Sequence, residues 1–327
     1  DIARELGISK STVSRALSGD TSNVKAETLQ KIMKTAHRMG YHRNDLAVHL
    51  RQQRTHNIGI IIPEIITTFY MTFINEVQAI LRKQGYKVMI AISSENPKQE
   101  RENLLMMEQL RVDGILMSVC DKDQNVDLYN KVIERGIPIV FFDRTVEGVQ
   151  ASQVRMDDYI MAFFMVEALL RKGYKHILHI PGPAYIRNSR ERQRGYRDAL
   201  EKFHVAYQAQ DILQPALSAE EGSRVMEQYL EKNIPFDAVF GFTETAVLGA
   251  KSTLQKHKMR IPDDVALCCM SGTALATLVH PQLTAVEQPI GEMARESCRL
   301  LMEHLADNNK KTEEIALRGE TVVREST

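Results

Sequence analysis

"SKSTVSRALSG", residues 9–19, begins with a serine suited to cap a helix and continues as a short amphipathic helix. Val13, Ala16 and Leu17 fall on one side of that helix. The opposite side carries only small or hydrogen-bonding residues: Lys10, Ser11, Ser14, Arg15 and Ser18. A helix side with small side chains and many hydrogen-bond donors fits the major groove of DNA, where Lys and Arg donate hydrogen bonds to guanine. The alternative is an ordinary solvated helix face.

The sequence on both sides of this helix predicts two further short helices. The first lies within residues 2–6 and stops at Gly7. The other runs from about Ala26 to Met39, with apolar residues at i, i+3, i+4 and i+7 counted from Leu29. Two helices joined by a glycine-containing turn, followed by a supporting helix, form the helix-turn-helix arrangement.

The charge of the chain is unevenly distributed. Residues 1–56 hold ten Lys/Arg and five Asp/Glu, although the whole chain balances 42 against 42. A basic head on a mildly acidic body indicates a polyanionic partner for the head. Charge alone leaves a solvated basic face open as the alternative.

From Asn57 onward, strand-like runs alternate with helix-length segments. The predicted strands are 58–62, 86–92, 114–119, 137–142, 175–180, 237–242 and 265–270. The predicted helices are 69–84, 97–110, 125–135, 159–172, 189–203, 219–232 and 244–257. This alternation predicts parallel sheets covered on both faces, and the number of units predicts two doubly wound α/β lobes. Segment 41–57 has too few apolar residues for a core and predicts a linker.

Composition narrows the class of protein. An apolar fraction of 43% and a charged fraction of 26% are typical of a globular protein. The longest apolar run, 58–66, is too short to span a bilayer, and no charged-then-apolar leader precedes it, so we expect a cytoplasmic protein. The four cysteines lack metal-ligand spacing and predict buried thiols. Without a phosphate-binding loop, an HExxH motif or a serine nucleophile elbow, we expect no enzyme, metal or cofactor.

Several stretches occur together in a specific order: "DIARELGISKSTVSRALSG" (1–19), "GYHRNDLAVHL" (40–50), "IGIIIPEI" (58–65), "PIVFFDR" (138–144) and "HPQLTAVEQP" (280–289). This series resembles the lactose-repressor (LacI/GalR) family of bacterial transcription regulators over nearly the whole chain. The resemblance implies a DNA-binding regulator, and a repressor, with three parts. These are a helix-turn-helix domain (1–44), a hinge helix or linker (45–56), and a domain for effector binding and dimerisation (57–327).

The resemblance also implies a homodimer whose two heads bind the half-sites of a near-palindromic operator in double-stranded DNA. By family position, Lys10, Ser11 and Arg15 contact bases, and Ser14 lies nearer the phosphates. Small-molecule control of operator affinity would make the protein allosteric.

The linker gains a role from the same resemblance. Ala47 and Leu50 share one face of a hinge helix that forms on DNA, and a paired leucine at the position of Leu50 enters the minor groove. Apolar wedges of this kind kink DNA by partial unstacking. Arg43 departs from the family, which has proline there; the change loosens the turn and adds a possible phosphate contact.

The body resembles periplasmic sugar-binding proteins, with a ligand cleft between two lobes and three crossovers near 155, 288 and 315. Lobe one would then comprise about 57–155 and 288–314, and lobe two about 156–287 and 315–327. The implied effector-binding positions are Phe69, Tyr70, Asp143, Arg190, Thr243 and Ser271.

Two of these positions depart from the family pattern. Thr243-Glu244 stands where the family has Asn-Asp, and Cys269-Met270-Ser271 stands where it has Gly-Phe-Asp. Two alternatives to an effector-controlled regulator stay open. The lost anchors leave open a degenerate pocket controlled by a protein partner or by no effector. The other alternative, from a different class, is a solute-binding protein, because the body alone would fit one.

Four arginines crowd the start of one predicted helix: Arg187, Arg190, Arg192 and Arg194. A helix N-terminus favours anions, and guanidinium groups form paired hydrogen bonds with carboxylate or phosphate. Ser271 also removes the family's negative charge from the opposite wall. These features predict an anionic sugar derivative as the effector, unless the arginines point to solvent.

Overall fold

A computed structural model describes residues 1–18, 24–40, 54–121, 124–307 and 309–327. Its internal contacts divide the chain into two compact units, Asp1–Thr55 and His56–Thr327. Within the described ranges, every helix is too short or too polar to cross a membrane.

The first unit contains the three predicted helices: α1 (Ile2–Glu5), α2 (Lys10–Ser18) and α3 (Ala26–Arg38). Their small core consists of Ile2, Val13, Ala16, Ile32 and Ala36. Ser9 caps α2, because its Oγ accepts a hydrogen bond of 3.1 Å from the backbone N–H of Thr12. Met33 was expected on the apolar face of α3, but its side chain is 53% exposed because Ile32 and Ala36 already fill the contact with the other helices.

The second unit is built on two sheets, as the alternating pattern predicts. The first has the strand order β10-β5-β4-β3-β1-β2 and the second the order β11-β9-β8-β7-β6. The first sheet comprises β1 (Asn57–Ile62), β2 (Lys87–Ile92), β3 (Gly114–Met117), β4 (Ile139–Phe142), β5 (Ser152–Met156) and β10 (Glu314–Leu317). The second comprises β6 (Ile177–Ile180), β7 (Ala238–Gly241), β8 (Ala266–Gly272), β9 (Thr284–Glu287) and β11 (Glu320–Val322). Neighbouring strands are parallel except β9 and β11.

Helices cover both faces of each sheet, which gives each lobe two apolar layers. In the first lobe they are α4 (Thr68–Lys83), α5 (Pro97–Gln109), α6 (Val126–Glu134) and α12 (Ile290–Ala306). In the second they are α7 (Asp158–Arg171), α8 (Arg187–Lys202), α9 (Ala219–Leu230), α10 (Glu244–Lys256) and the short α11 (Leu275–Leu278). A 3₁₀ turn spans Ala209–Asp211.

The chain passes between the lobes three times: after Met156, after Glu287, and between Leu317 and Glu320. The third passage lies slightly beyond the boundary expected near 315, because β10 continues to Leu317 in the first sheet. Gly319 sits where the three passages meet, since a Cβ there would lie 2.7 Å from the carbonyl oxygen of Glu287 and 3.1 Å from the sulfur of Met156. A side chain at this crossing has no room.

Candidate functional site

The exposed side of α2 is the first candidate surface. Lys10, Ser11, Ser14 and Arg15 are exposed, whereas Val13 of the same helix is buried. The Ser9 hydroxyl lies 2.8 Å from the hydroxyl of Ser11. The helix therefore presents two cations and two hydroxyls on one side, as the sequence predicts.

The predicted hinge contacts cannot be located in the same way. Ala47 and Leu50, together with Arg43, fall within 41–53 and lie outside the described residues. Their roles stay predictions.

The second candidate is a cleft in the second unit with a volume of about 130 Å³. Its walls come from segments that follow the carboxyl ends of strands in both sheets, where parallel α/β folds bind ligands. The lining residues are Glu64, Ile66, Thr67, Thr68, Phe69, Tyr70, Glu95, Asp143, Arg144, Asn188, Arg192, Leu217, Phe242, Thr243, Glu244, Thr245, Ser271, Thr273, Leu275 and Gln288. Because strand ends of both lobes converge here, a ligand in the cleft can bridge them.

Five of the six predicted effector positions line this cleft: Phe69, Tyr70, Asp143, Thr243 and Ser271. The structure does not bring Arg190 to the cleft with them: its side chain is exposed, and the buried guanidinium at the cleft belongs to Arg192. Two residues along a helix are separated by about 200° around its axis, so the two arginines of α8 point to opposite sides.

The remaining arginines of this run also lie away from the cleft lining. Arg187 donates a hydrogen bond of 3.3 Å to Oγ1 of Thr145. Arg194 pairs with Glu191 at 2.8 Å and lies over the Tyr159 ring at 4.2 Å. The expected cluster of arginines facing the cleft is thus reduced to one, because the run winds around the helix.

Asp143 lies at the centre of a buried hydrogen-bond network. Its Oδ2 accepts from the Tyr70 hydroxyl at 2.9 Å, and its Oδ1 accepts from the Asn188 side-chain amide at 3.0 Å. The Tyr70 hydroxyl also lies 3.0 Å from Oγ of Ser118. Burial raises the pKa of the Asp143 carboxyl despite these donors and two nearby arginines. Asp143 follows β4 and Asn188 lies in the first turn of α8, so this bond joins the two lobes.

Each of the three guanidinium nitrogens of Arg192 has a neighbouring protein acceptor. Its Nε and Nη2 each lie 2.7 Å from Oδ1 of Asp158, and its Nη1 donates at 2.7 Å to the carbonyl of Phe242. The guanidinium also lies 4.4 Å over the Phe242 ring. Burial raises the pKa of Asp158 to about 6, even though Arg192 favours its charged form. Asp157, the residue before Asp158, caps α7, and its Oδ1 accepts a hydrogen bond from the N–H of Ile160.

Arg144 and Glu95 form the matching pair on the first lobe. Nη1 of Arg144 donates to Oε2 of Glu95 at 2.9 Å. Ser94 and Glu95 both adopt left-handed backbone conformations, with φ of 50° and 54°. The backbone N–H of Glu95 donates to the carbonyl of Pro63. The other carboxylate oxygen of Glu95, Oε1, is buried and accepts no hydrogen bond from any residue that the structure describes.

The positions that depart from the family pattern build the opposite wall. Thr243 caps α10 by accepting from the N–H of Ala246 at 3.2 Å. The Ser271 hydroxyl accepts from the N–H of Glu244 at 3.0 Å. The Glu244 carboxylate accepts 2.5 Å and 3.2 Å bonds from the hydroxyl and N–H of Thr273, and burial raises its pKa. These residues fix the end of β8 against the start of α10.

Sequence reasoning missed Glu95, Arg144 and Asn188 as cleft residues, whereas Arg192 was named only as one of the arginine run. Arg144 directly follows Asp143, and Asn188 lies within the noted arginine run, so both had a local signal. Glu95 had none, because only the fold brings the loop after β2 to Arg144. No group of three or more His, Cys, Asp or Glu side chains in the described ranges could hold a metal ion. All four cysteines of the chain are buried and free of disulfides.

Two family profiles match the chain. Residues 1–44 match "Bacterial regulatory proteins, lacI family", and residues 55–317 match "Periplasmic binding proteins and sugar binding domain of LacI family". Catabolite control protein A of Priestia megaterium is 30% identical over 314 residues, which cover 95% of this chain and 92% of that protein. The HTH-type transcriptional regulator DegA of Bacillus subtilis (strain 168) is 28% identical, with 100% and 97% covered.

Solved structures share the fold. The lac repressor dimer bound to operator and the anti-inducer ONPF has a TM-score of 0.89 at 19% identity, covering 100% of this chain and 97% of that one. At that identity the likeness concerns the fold alone. The complex of the transcriptional regulator CelR with cellobiose has a TM-score of 0.77 at 25% identity, with 100% and 98% covered.

Proposed function

This chain belongs to the LacI family of bacterial regulatory proteins and is a DNA-binding transcriptional regulator, and we propose that it is a repressor whose operator affinity is changed by a small ligand in the cleft. The observation that carries the proposal is the cleft itself, to which strand ends of both lobes contribute. A ligand that contacts both lobes stabilises one of their arrangements over others, and only such differential binding can shift an equilibrium.

On the DNA side, two copies bind the half-sites of a near-palindromic operator. Lys10, Ser11 and Arg15 contact bases in the major groove, and Ser14 contacts a phosphate. The support is the side of α2 that they share, which is exposed while Val13 packs inward. Residues 1–44 form the DNA-binding domain, 45–56 the hinge and 57–327 the effector and dimerisation domain. Ala47 and Leu50 contact the minor groove.

A homodimer fits an apolar edge in the first lobe. β2 is the edge strand of its sheet, and on it the side chains of Ile90 and Ile92 are 49% and 37% exposed. An exposed apolar edge strand is normally covered by another part of the protein or by a partner. We propose that a second copy of this chain covers β2. Since its target is chromosomal DNA, the protein acts in the cytoplasm.

On the ligand side, seven residues hold the effector: Phe69, Tyr70, Asp143, Asn188, Arg192, Thr243 and Ser271. Two relatives of known structure carry sugars, one cellobiose and one ribose, and a sugar-like ligand suits the hydroxyl-rich wall of this cleft. The anionic derivative expected from the arginine run loses its support, because only Arg192 of that run lines the cleft and it is bonded to Asp158.

The test has two steps. Purified protein is first used to select bound fragments from genomic DNA, and the recovered site is measured by fluorescence anisotropy. A panel of sugars is then screened by thermal shift, and each binder is added to the protein–DNA complex. We expect a near-palindromic site and at least one sugar that changes its affinity. A specific site whose affinity no panel compound changes would favour control by a protein partner; failure to bind any specific site would overturn the proposal.

A further inference from the structure

We infer, on the premise that the cleft holds the effector, that its ligand is an amino sugar: a cyclic polyol that carries a protonated amine. This deepens the proposed function by assigning the sign of the ligand's charge, which is opposite to the one that the arginine run predicts.

The charged groups that line the cleft are mostly acidic. Its described lining contains four carboxylates, Glu64, Glu95, Asp143 and Glu244, against two guanidinium groups, Arg144 and Arg192. Charges in a partly buried cleft interact more strongly than charges at an open surface. The excess of negative charge therefore favours a cation over an anion.

The two arginines are poor sites for an anion because each already has a carboxylate partner. All three nitrogens of the Arg192 guanidinium are bonded, two to Asp158 and one to the carbonyl of Phe242. Arg144 is paired with Glu95 at 2.9 Å. A sugar acid or phosphate would therefore compete with a carboxylate that already neutralises the guanidinium charge.

The carboxylates of Asp143 and Glu244, unlike the two arginines, form no ion pair with a described residue of opposite charge. Both residues are nearly fully buried, with exposures of 6% and 3%. Asp143 accepts hydrogen bonds from Tyr70 and Asn188, and Glu244 accepts them from Thr273, all of which are neutral donors. Arg144 and Arg192 lie near Asp143, but no described Lys or Arg side chain forms an ion pair with the carboxylate of Asp143 or Glu244. A buried carboxylate without a directly bonded cation is costly, so an ammonium group on the ligand that reaches either one is stabilised by it.

Glu95 supplies an open acceptor. Its Oε1 is buried and receives no hydrogen bond within the described part of the chain. The bond from Arg144 to Oε2 holds the side chain in place, and Ser94 and Glu95 both adopt left-handed backbone conformations that non-glycine residues rarely adopt. A buried acceptor without a donor at a cavity wall is completed by a donor on the ligand. We assign Glu95 as the residue that selects the amine.

The rest of the wall suits a polyol. Besides the phenol of Tyr70, it carries six aliphatic hydroxyl side chains, on Thr67, Thr68, Thr243, Thr245, Ser271 and Thr273. Each hydroxyl can donate and accept, as sugar hydroxyls require. The rings of Phe69, Tyr70 and Phe242 supply flat apolar surface for the C–H face of a sugar ring.

The experiment compares matched ligands that differ in charge. Isothermal titration at pH 7 uses two scaffolds: glucosamine, glucose and glucuronate, and the disaccharides chitobiose in its deacetylated form, cellobiose and cellobionate. In at least one of the two scaffolds, we expect the amine to bind at least about tenfold more tightly than the neutral form and the acidic form of the same scaffold. In Glu95→Gln its affinity falls about 10- to 100-fold, as for loss of a hydrogen bond to a charged group. In the control Glu102→Gln, an exposed glutamate of α5, it is unchanged.

The outcomes separate this inference from the proposed function. A neutral or acidic sugar that binds most tightly and changes operator affinity would overturn the amine while leaving the regulator intact. A panel in which no amine binds overturns it as well. If Glu95→Gln does not fold, the wild-type protein still decides, because raising NaCl from about 0.05 M to 0.5 M weakens binding of a cation but not of a neutral sugar.

Discussion

Arg192 and Asp158 form an ion pair that is closed off from water beside the cleft. Both Nε and Nη2 of the guanidinium lie 2.7 Å from Oδ1 of the carboxylate, and the side chains are only 3% and 4% exposed. Because Arg192 lies on α8 and Asp158 begins α7, the pair fixes these helices beside the end of β7. Arg190, two residues earlier on α8, is exposed and outside the cleft lining.

We predict that Arg192→Ala lowers the free energy of unfolding by about 3–5 kcal/mol, because it leaves Asp158 buried without its partner. Arg190→Ala is the matched control and should change stability by less than about 0.5 kcal/mol. Urea unfolding at pH 7 measures both. Equal effects of the two substitutions would mean that Arg192 is not the buried arginine of α8.

This pair shows what the sequence could not settle. The run of arginines indicates a functional helix start, but which arginine faces inward depends on how α8 packs on α7. Gly195 sets that rotation, since a Cβ there would lie only 2.4 Å from the carbonyl oxygen of Tyr159. A glycine three residues after Arg192 was visible in the sequence, yet its contact partner was not.

The fold was more predictable than the cleft. Long apolar runs separated by helices predict the two lobes, because buried parallel strands are almost uninterruptedly apolar. Four strands were missed: β5, β9, β10 and β11. They are three to five residues long and mix polar with apolar residues. Three of them lead into a passage between the lobes and the fourth follows one. Glu95 was missed because its partner Arg144 is distant in the chain.

For the DNA-binding surface, we predict that Arg15→Ala costs about 1–3 kcal/mol of operator binding and relaxes preference at one base pair in each half-site. The physical reason is the loss of a paired hydrogen bond to guanine. Binding of a library of operator variants measures it, with Lys256→Ala in the second unit as the control that removes a cation elsewhere. A uniform loss on all sequences would instead indicate a phosphate contact.

For the hinge, we predict that Leu50→Ala reduces operator bending and specific affinity but hardly changes binding to non-specific DNA. The wedge has to unstack a base step at the operator centre, and alanine is too small to fill the opened step. A circular-permutation assay measures bending. If the variant bends and binds the operator as the wild type does, Leu50 is not a wedge and the hinge only connects the two domains.

For the crossing between the lobes, we predict that Gly319→Ala lowers the free energy of unfolding by about 1–3 kcal/mol. The new methyl group would overlap the carbonyl oxygen of Glu287 and force the passages apart. Gly291→Ala on α12 is the control, because a Cβ there meets nothing closer than 3.5 Å. It should leave stability unchanged or raise it by less than about 1 kcal/mol. Urea unfolding compares the two variants. If Gly319→Ala leaves the free energy of unfolding unchanged, the passages between the lobes can move apart at little cost, and the prediction is wrong.

The last prediction concerns His179, which is fully buried between the rings of Tyr196 and Phe240 at centroid distances of 5.1 Å and 4.9 Å. Its Nδ1 lies 3.0 Å from the carbonyl oxygen of Phe240, and Nε2 has no partner among the described residues. Burial lowers the pKa of this imidazole from 6.5 to about 4. In the unfolded chain the His179 imidazole therefore becomes protonated below pH 6.5, whereas in the folded protein it stays neutral down to about pH 4. The contribution of this group to stability is complete above pH 6.5 and is lost as the pH falls, by about 3 kcal/mol in all.

His179→Phe keeps an aromatic ring in the stack and cannot titrate, so its stability should fall less than that of the wild type between pH 7 and pH 4. Urea unfolding of both proteins at the two pH values measures the difference, since all other groups titrate alike. Parallel losses in the two proteins would show that His179 is already protonated in the fold or stays exposed to water.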